Sequence, residues 1–346
     1  MNPGSFARPI HGGLDHPPVR AGKIGVVIAN LGTPDATGYW PMRRYLGEFL
    51  SDRRVIDYSP WFWQPLLQLV ILTRRPFSSG NAYRLIWNRE LDESPLLTTT
   101  RNQAHKLAEA FAGDDRILVD FCMRYGNPST ENVLRSMCDR GCTRILFFPL
   151  YPQYSATTTA TAVDQAFRAL MTMKWQPAFR TAPPYHDHPL YINALANSVR
   201  KSLGDELPDA LVLSYHGLPE RYLTEGDPYH CHCQKTSRLL TESLGWPPEI
   251  VRTCFQSRFG SEEWLKPYTV DEVSRLAKGE RKRIAVLAPG FAADCVETLE
   301  EVDSEIREAF QDAGGTRFSY IPCLNDSPDH IRLLADIVTT ELSGWI

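Results

Sequence analysis

The sequence predicts an α/β protein of two Rossmann-like halves, each a mostly parallel sheet flanked by helices, with a cleft between them. Three observations carry this reading. Short apolar runs alternate with amphipathic stretches along the whole chain, two of the runs end in the same Gly-x-Pro turn, and those two lie about half the chain apart. Alternation of strands and helices builds a parallel sheet covered on both faces. Ligands of such sheets sit beyond the carboxyl ends of the strands.

The predicted strands are 23–30 (KIGVVIAN), 116–123 (RILVDFCM), 143–150 (TRILFFPL), 210–215 (ALVLSY), 251–255 (VRTCF) and 283–288 (RIAVLA). Between them, helical periodicity runs over 98–112, 130–140, 157–173, 233–244, 296–313 and 327–342. The echo that pairs the halves is VVIANLGTP (26–34) with LVLSYHGLP (211–219). If it marks a duplication, the tips of both first strands face one cleft. Neither tip is a G-x-G-x-x-G loop, so no dinucleotide site is indicated. The predicted division is an N-terminal tail (1–22), a first half (23–180) and a second half (181–346).

A chain of 346 residues, 43% hydrophobic and 23% charged, has the composition of a soluble globular protein of one large or two moderate domains. Its formal net charge of −4 and lack of a basic face argue against nucleic acid as a partner. The N-terminus shows no apolar signal region, so the eight cysteines are expected as reduced thiols in a cytoplasmic protein. The segment 59–76 (SPWFWQPLLQLVILTRRP) is too short and too interrupted to span a bilayer. It reads either as an amphipathic lip resting on a membrane surface or as a helix packed on the protein's own core.

Several strand exits carry residues fit for chemistry. His216 ends the run 210–215 immediately before Gly217 and Pro219, where it is either a hydrogen-bonded structural residue or a reactive group. In APGFAADCVETLEEVDSEI (288–306), Glu297, Glu301 and Glu305 recur at i, i+4 and i+8 on one helical face. They form a solvated face, or a path for a divalent cation or protons. In FFPLYPQYSATTTATAVDQA (147–166), aromatic and small polar residues including Tyr154 make either walls for a flat ligand or ordinary cap chemistry. Arg124 and Tyr125, in CMRYGNPST (122–130), offer a partner for a substrate carboxylate or for an acid of the protein. HCHC (230–233) lacks the second spaced pair that structural zinc needs and reads as a reduced loop pair. G-x-S-x-G, P-loop and H-E-x-x-H patterns are absent from the sequence.

Taken together, ANLGTPDA (29–36), YRLIW and ESPL (83–96), MRYGNP (123–128), FFPLYPQYSATTTAT (147–161), SYHGLPERY (214–222), GDPYHCHCQKT (226–236), TCFQSRFG with WLKPYT (253–269) and PGFAADCVETLEEVD (289–303) resemble the ferrochelatases. These motifs cover nearly the whole chain in the family's order, in a form similar to proteobacterial members. The resemblance implies insertion of Fe²⁺ into protoporphyrin IX, the last step of haem biosynthesis, in a cleft between two halves. It implies His216 and Glu297 as the catalytic and metal-contacting residues. Glu301 and Glu305 then continue an acidic path, and Leu31, Arg124, Tyr125 and Trp264, with Tyr154, line the porphyrin pocket.

Departures from the family pattern shape the remaining expectations. Cys295 stands two residues before Glu297, where animal relatives have histidine. Ala156 occupies the PQYS-x segment, and Cys323 is the only cysteine after Cys295, so no iron–sulfur cluster, and no other cofactor, is expected. The dimer-forming extension has no counterpart, making a monomer the expectation. Arg84 and Leu85 follow Tyr83 where relatives carry two basic residues, so the propionate contacts differ. The competing readings are a coproporphyrin- or cobalt-type chelatase of the same fold, and a non-catalytic tetrapyrrole carrier. Peripheral contact with the inner face of a membrane would run through 59–76.

Overall fold

The computed structural model describes residues 22–204 and 206–346, so the expected tail lies outside the described residues except for Gly22. In the first half, β1 (Lys23–Thr33) pairs in parallel with β2 (Ile117–Gly126) on one side and β3 (Cys142–Pro149) on the other. With β4 (Ala178–Thr181) beyond β3, the order is β2-β1-β3-β4. In the second half, β5 (Ala210–His216), β6 (Val251–Gln256), β7 (Arg283–Leu287) and β8 (Arg317–Ile321) form a parallel sheet of order β6-β5-β7-β8. The second order is the first advanced by four strands, and the two echoing runs are its equivalent members, β1 and β5. Val26, Val27, Ile28, Leu211, Val212 and Leu213 are wholly buried, as expected of parallel strands covered on both faces.

The first half carries α1 (Tyr39–Leu50), α2 (Pro60–Leu66), α3 (Leu72–Ile86), α4 (Pro95–Ala110), α5 (Thr130–Asp139) and α6 (Thr161–Met171). The second carries α7 (Pro189–Leu203), α8 (Glu220–Thr224), α9 (Tyr229–Leu244), α10 (Thr269–Lys278), α11 (Arg307–Asp312) and α12 (Pro328–Glu341). The starts follow local chemistry. Ser94 and Ser327 accept the backbone N–H groups of Leu97 (3.2 Å) and His330 (3.4 Å), each with proline at the next position. α12 packs on both α7 and α4, tying the halves together. Gln103 of α4 donates to the carbonyls of Ala292 (3.1 Å) and Asn325 (2.9 Å), and Lys106 pairs with Asp326 at 2.6 Å. One hydrophobic core accordingly runs through both sheets, from Ile24 and Ile28 to Leu211 and Leu213.

The segment 59–76 packs one face on the protein's own core and turns a second apolar face outward. α2 runs through a π-helical turn (Leu67–Ile71) into α3. Trp63, Leu67 and Leu72 are buried, with the Trp63 indole donating to the Leu50 carbonyl at 2.7 Å. Trp61 (92% exposed), Phe62 (68%) and Leu69 (74%) point outward. Among the described residues, no helix is long and apolar enough to cross a membrane.

Candidate active site

The two strand tips with their Gly-x-Pro turns meet at a cavity of about 420 Å³. Asn30, Leu31 and Gly32 come from β1, and His216, Gly217, Leu218 and Pro219 from β5 and the turn after it. Both glycines are dictated by close approach. A Cβ on Gly32, at φ +112°, would lie 1.8 Å from the Tyr125 carbonyl oxygen. One on Gly217 would lie 2.6 Å from that of Gln256.

His216 is fixed at the tip through its main chain and ring. Its carbonyl accepts the Tyr229 hydroxyl at 3.0 Å, and the next N–H, of Gly217, donates to Gln256 at 2.7 Å. The ring Nδ1 lies 2.7 Å from the Gly217 carbonyl oxygen. A carbonyl only accepts, so Nδ1 is the donor in this contact and Nε2 takes no part in it. The opposite ring nitrogen is the one left to take a proton or touch a metal.

The carboxylates arrive from the neighbouring strand. β7 leads to Glu297 and Glu301, both on the cavity wall. They lie not on the expected α-helix but on a π-helix, Glu297–Ile306, which α11 continues. The inward residues Thr298, Val302 and Ile306 recur every four positions, a spacing that the wider turn accommodates as well as the α turn. Glu301 accepts from the Ser257 N–H (2.7 Å), the Ser257 hydroxyl and the Gln256 amide (3.2 Å). Ser257 reaches it from a left-handed backbone conformation, φ 63°. Burial pushes the Glu301 carboxyl up, Glu297 adds to this, and the Ser257 bonds and nearby His216 only partly offset it. Glu300 is likewise raised, by burial and then by Glu305, Glu301 and Glu297. Glu305 itself is exposed and off the cavity wall, so of the three laddered carboxylates two line the cavity and the third marks the outer end of the row.

His216, Glu297 and Glu301 thus all belong to the second half. The first half opposes them with a largely apolar wall that includes Leu31, Tyr83, Ile86 and Leu96, and Trp264 closes the second-half side above Gly217. Trp264 is held by backbone pairing of its strand-like segment to the β5 turn, with the Leu265 N–H donating to Leu218 at 2.9 Å. Among the described residues, no three His, Cys, Asp or Glu side chains form a group able to hold a metal ion.

Three expected pocket residues lie elsewhere. Arg124 (5% exposed) and Tyr125 (0%) are buried beneath the wall rather than in it. The Arg124 guanidinium pairs with Asp52 and donates to Thr161 Oγ1 at 2.7 Å, and the Tyr125 hydroxyl donates to the same Asp52 at 2.8 Å. An acid just past the end of α1, not a ligand carboxylate, is the partner. Tyr154 is also off the wall, its N–H donating to His232 Nδ1 at 3.2 Å, while Tyr151, Gln153, Thr157 and Thr158 around it line the cavity. In the HCHC run, His232 stacks on His186 (centroids 3.6 Å apart), Cys233 enters the core and Cys231 stays exposed. Sequence reasoning missed Arg75 and the rim pair Asp57–Arg221, whose oxygens and nitrogens meet at 2.7 Å. Arg221 lies within SYHGLPERY, but its pairing with Asp57 arises only because the two halves bring them together.

A profile described as Ferrochelatase matches residues 23–342. The ferrochelatase of Rhodobacter capsulatus is 62% identical over 341 residues, 97% of each chain. The chain belongs to the ferrochelatase family. That of Rhizobium meliloti (strain 1021) is 55% identical over 334 residues, 96% of this chain and 98% of the relative. As a ferrochelatase the protein is a metal chelatase, a lyase by reaction class. The fold is shared more widely: the structure described as SirB from Bacillus subtilis with Fe³⁺ superposes with a TM-score of 0.55 at 13% identity, covering 92% of this chain and 94% of the other. The sirohydrochlorin chelatase SirB in complex with cobalt gives 0.53 at 12%, over 92% and 94%.

Proposed function

We propose that this ferrochelatase inserts Fe²⁺ into protoporphyrin IX to give protohaem and two protons. The observation that carries this is His216, its Nδ1 held by the Gly217 carbonyl, lining one cavity with Glu297 and Glu301 opposite a largely apolar wall. Metal insertion must remove two pyrrole N–H protons, strip water from the ion and bend a planar ring. A neutral imidazole accepts protons near neutral pH, and imidazole and carboxylate oxygens suit a divalent iron in transit. Walls from two halves joined by a common core can hold a distorted ring, which spends binding energy on strain. Glu305, exposed at the outer end of the row, Glu301 and Glu297 supply the acidic path by which the ion, a substrate here, reaches the ring.

The cavity also favours a ring with few carboxylates over coproporphyrin. Among the described residues its cations are Arg75 and Arg221, and its acids are Asp57, Glu262, Glu297 and Glu301. Four propionates would outnumber the cations and face these acids. A carrier without turnover would have no use for the base beside the carboxylates. The deciding experiment is anaerobic: purified protein with Fe²⁺ and protoporphyrin IX is expected to lose porphyrin fluorescence and gain the haem spectrum over many turnovers. Tight binding without insertion would overturn the proposal.

The protein works without an iron–sulfur cluster, a reading supported by Ala156 and by Cys323 as the one cysteine after Cys295. Purified protein is therefore expected to lack visible cluster absorption, and stoichiometric iron and sulfide would refute this. The lip touches the membrane's inner face through Trp61, Phe62 and Leu69. Flotation with anionic vesicles is expected to carry the wild-type protein and to release a Trp61→Ser/Phe62→Ser variant; equal flotation of both would remove the lip from membrane contact.

A further inference from the structure

Arg75 stands apart from the other cation of the cavity. Arg221 is already neutralised: Asp57 holds it through two contacts of 2.7 Å, and Glu262 (3.5 Å) and Glu225 (3.6 Å) lie against it. Arg75, on α3, is half-buried on the cavity wall, and among the described residues no carboxylate lies within ion-pair distance of it. Its guanidinium instead sits 5.1 Å from the ring centre of Phe259, a second-half residue also on the wall. Burial pushes its pKa down from the ordinary value, the mark of a desolvated cation without a compensating charge. Arg84 and Leu85 do not substitute for it: neither lines the cavity, Arg84 turns to Asn81 on its own helix, and Leu85 is exposed.

We propose that Arg75 is the specificity-determining residue of the cavity: it pairs with one propionate of the incoming tetrapyrrole, while the second propionate finds no free cation. The proposal rests on the tetrapyrrole reading of this site. An unpaired, partly desolvated guanidinium is a strong donor site for a carboxylate, because the bond is charge-assisted and bidentate and the desolvation cost is already met. A single reader makes recognition one-sided. The porphyrin needs one free carboxylate, and further carboxylates bring only repulsion from Asp57 and Glu262.

The test compares protoporphyrin IX with its monomethyl and dimethyl esters, in wild type, Arg75→Gln and Arg75→Lys. Wild type is expected to bind the diacid and the monoester within about threefold of each other, and the diester about 10–100-fold more weakly. Arg75→Gln should raise Kd and KM for the diacid to the level of the diester, reducing kcat far less, and should leave diester binding unchanged. Arg75→Lys should recover part of the loss. Equal weakening of diacid and diester by Arg75→Gln would assign Arg75 to support of the lip through Phe259 and overturn the proposal. So would wild type that binds diester as tightly as diacid, a result that needs no variant. Wild type that binds these porphyrins with the expected ester pattern but inserts no iron would instead overturn the functional reading alone.

Discussion

His216→Ala is expected to lower the rate of iron insertion by about 10²–10⁴-fold, the range for loss of a positioned proton acceptor. Affinity for protoporphyrin and thermal stability should change little. The structural contribution of His216 is mostly main-chain, since the Tyr229 hydroxyl holds its carbonyl and strand pairing with Gln256 holds the tip. The ring's own bond, Nδ1–H to the Gly217 carbonyl, orients Nε2 and closes nothing else. Glu297→Gln tests the other arm: it keeps the shape and removes the negative charge, so a fall in insertion with unchanged porphyrin binding is expected. Rapid insertion by His216→Ala, measured anaerobically at saturating Fe²⁺, would move proton removal to another group.

The sequence made β1 and β5 legible because parallel strands buried on both faces are written as unbroken apolar runs. Their tips were legible too, since only glycine survives contacts of 1.8 Å and 2.6 Å with facing carbonyls. β4 (AFRT) and β8 (RFSYI), on the sheet edges, carry no such run, and neither stood out. Placement on the cavity wall was readable where a strand or helix presents the residue directly, as with His216, Glu297, Glu301, Leu31 and Trp264. It was not where the decisive partner is distant in sequence. Arg124 meets Asp52 across 72 positions, and Arg221 meets Asp57 across 164. A charged residue at a strand exit says only that a partner is needed, and the fold decides whether protein or ligand provides it.

Arg124→Met is expected to destabilise the protein by about 3–5 kcal/mol at neutral pH, because it strands a buried carboxylate. Asp52 has a side-chain exposure of 3% and Arg124 of 5%, so solvent does little to screen the pair. Burial alone would raise the Asp52 pKa. The Thr161 hydroxyl, the Arg54 N–H (2.8 Å), the Tyr125 hydroxyl and the Arg124 charge outweigh it and hold the group below its ordinary value. A carboxyl depressed in the folded state contributes stability that is fully present above its unfolded pKa of about 4 and is lost as pH falls through the folded value. Removing the Arg124 charge raises the folded pKa, so protonation of Asp52 then relieves the variant. The deficit of Arg124→Met should therefore be largest near pH 7 and shrink toward pH 4 in urea melts, and Asp52→Asn added to it should recover much of the loss. Porphyrin affinity of the folded variant should stay close to that of wild type, since neither Arg124 nor Tyr125 lines the cavity. A variant of unchanged stability that no longer binds porphyrin would return Arg124 to the pocket wall.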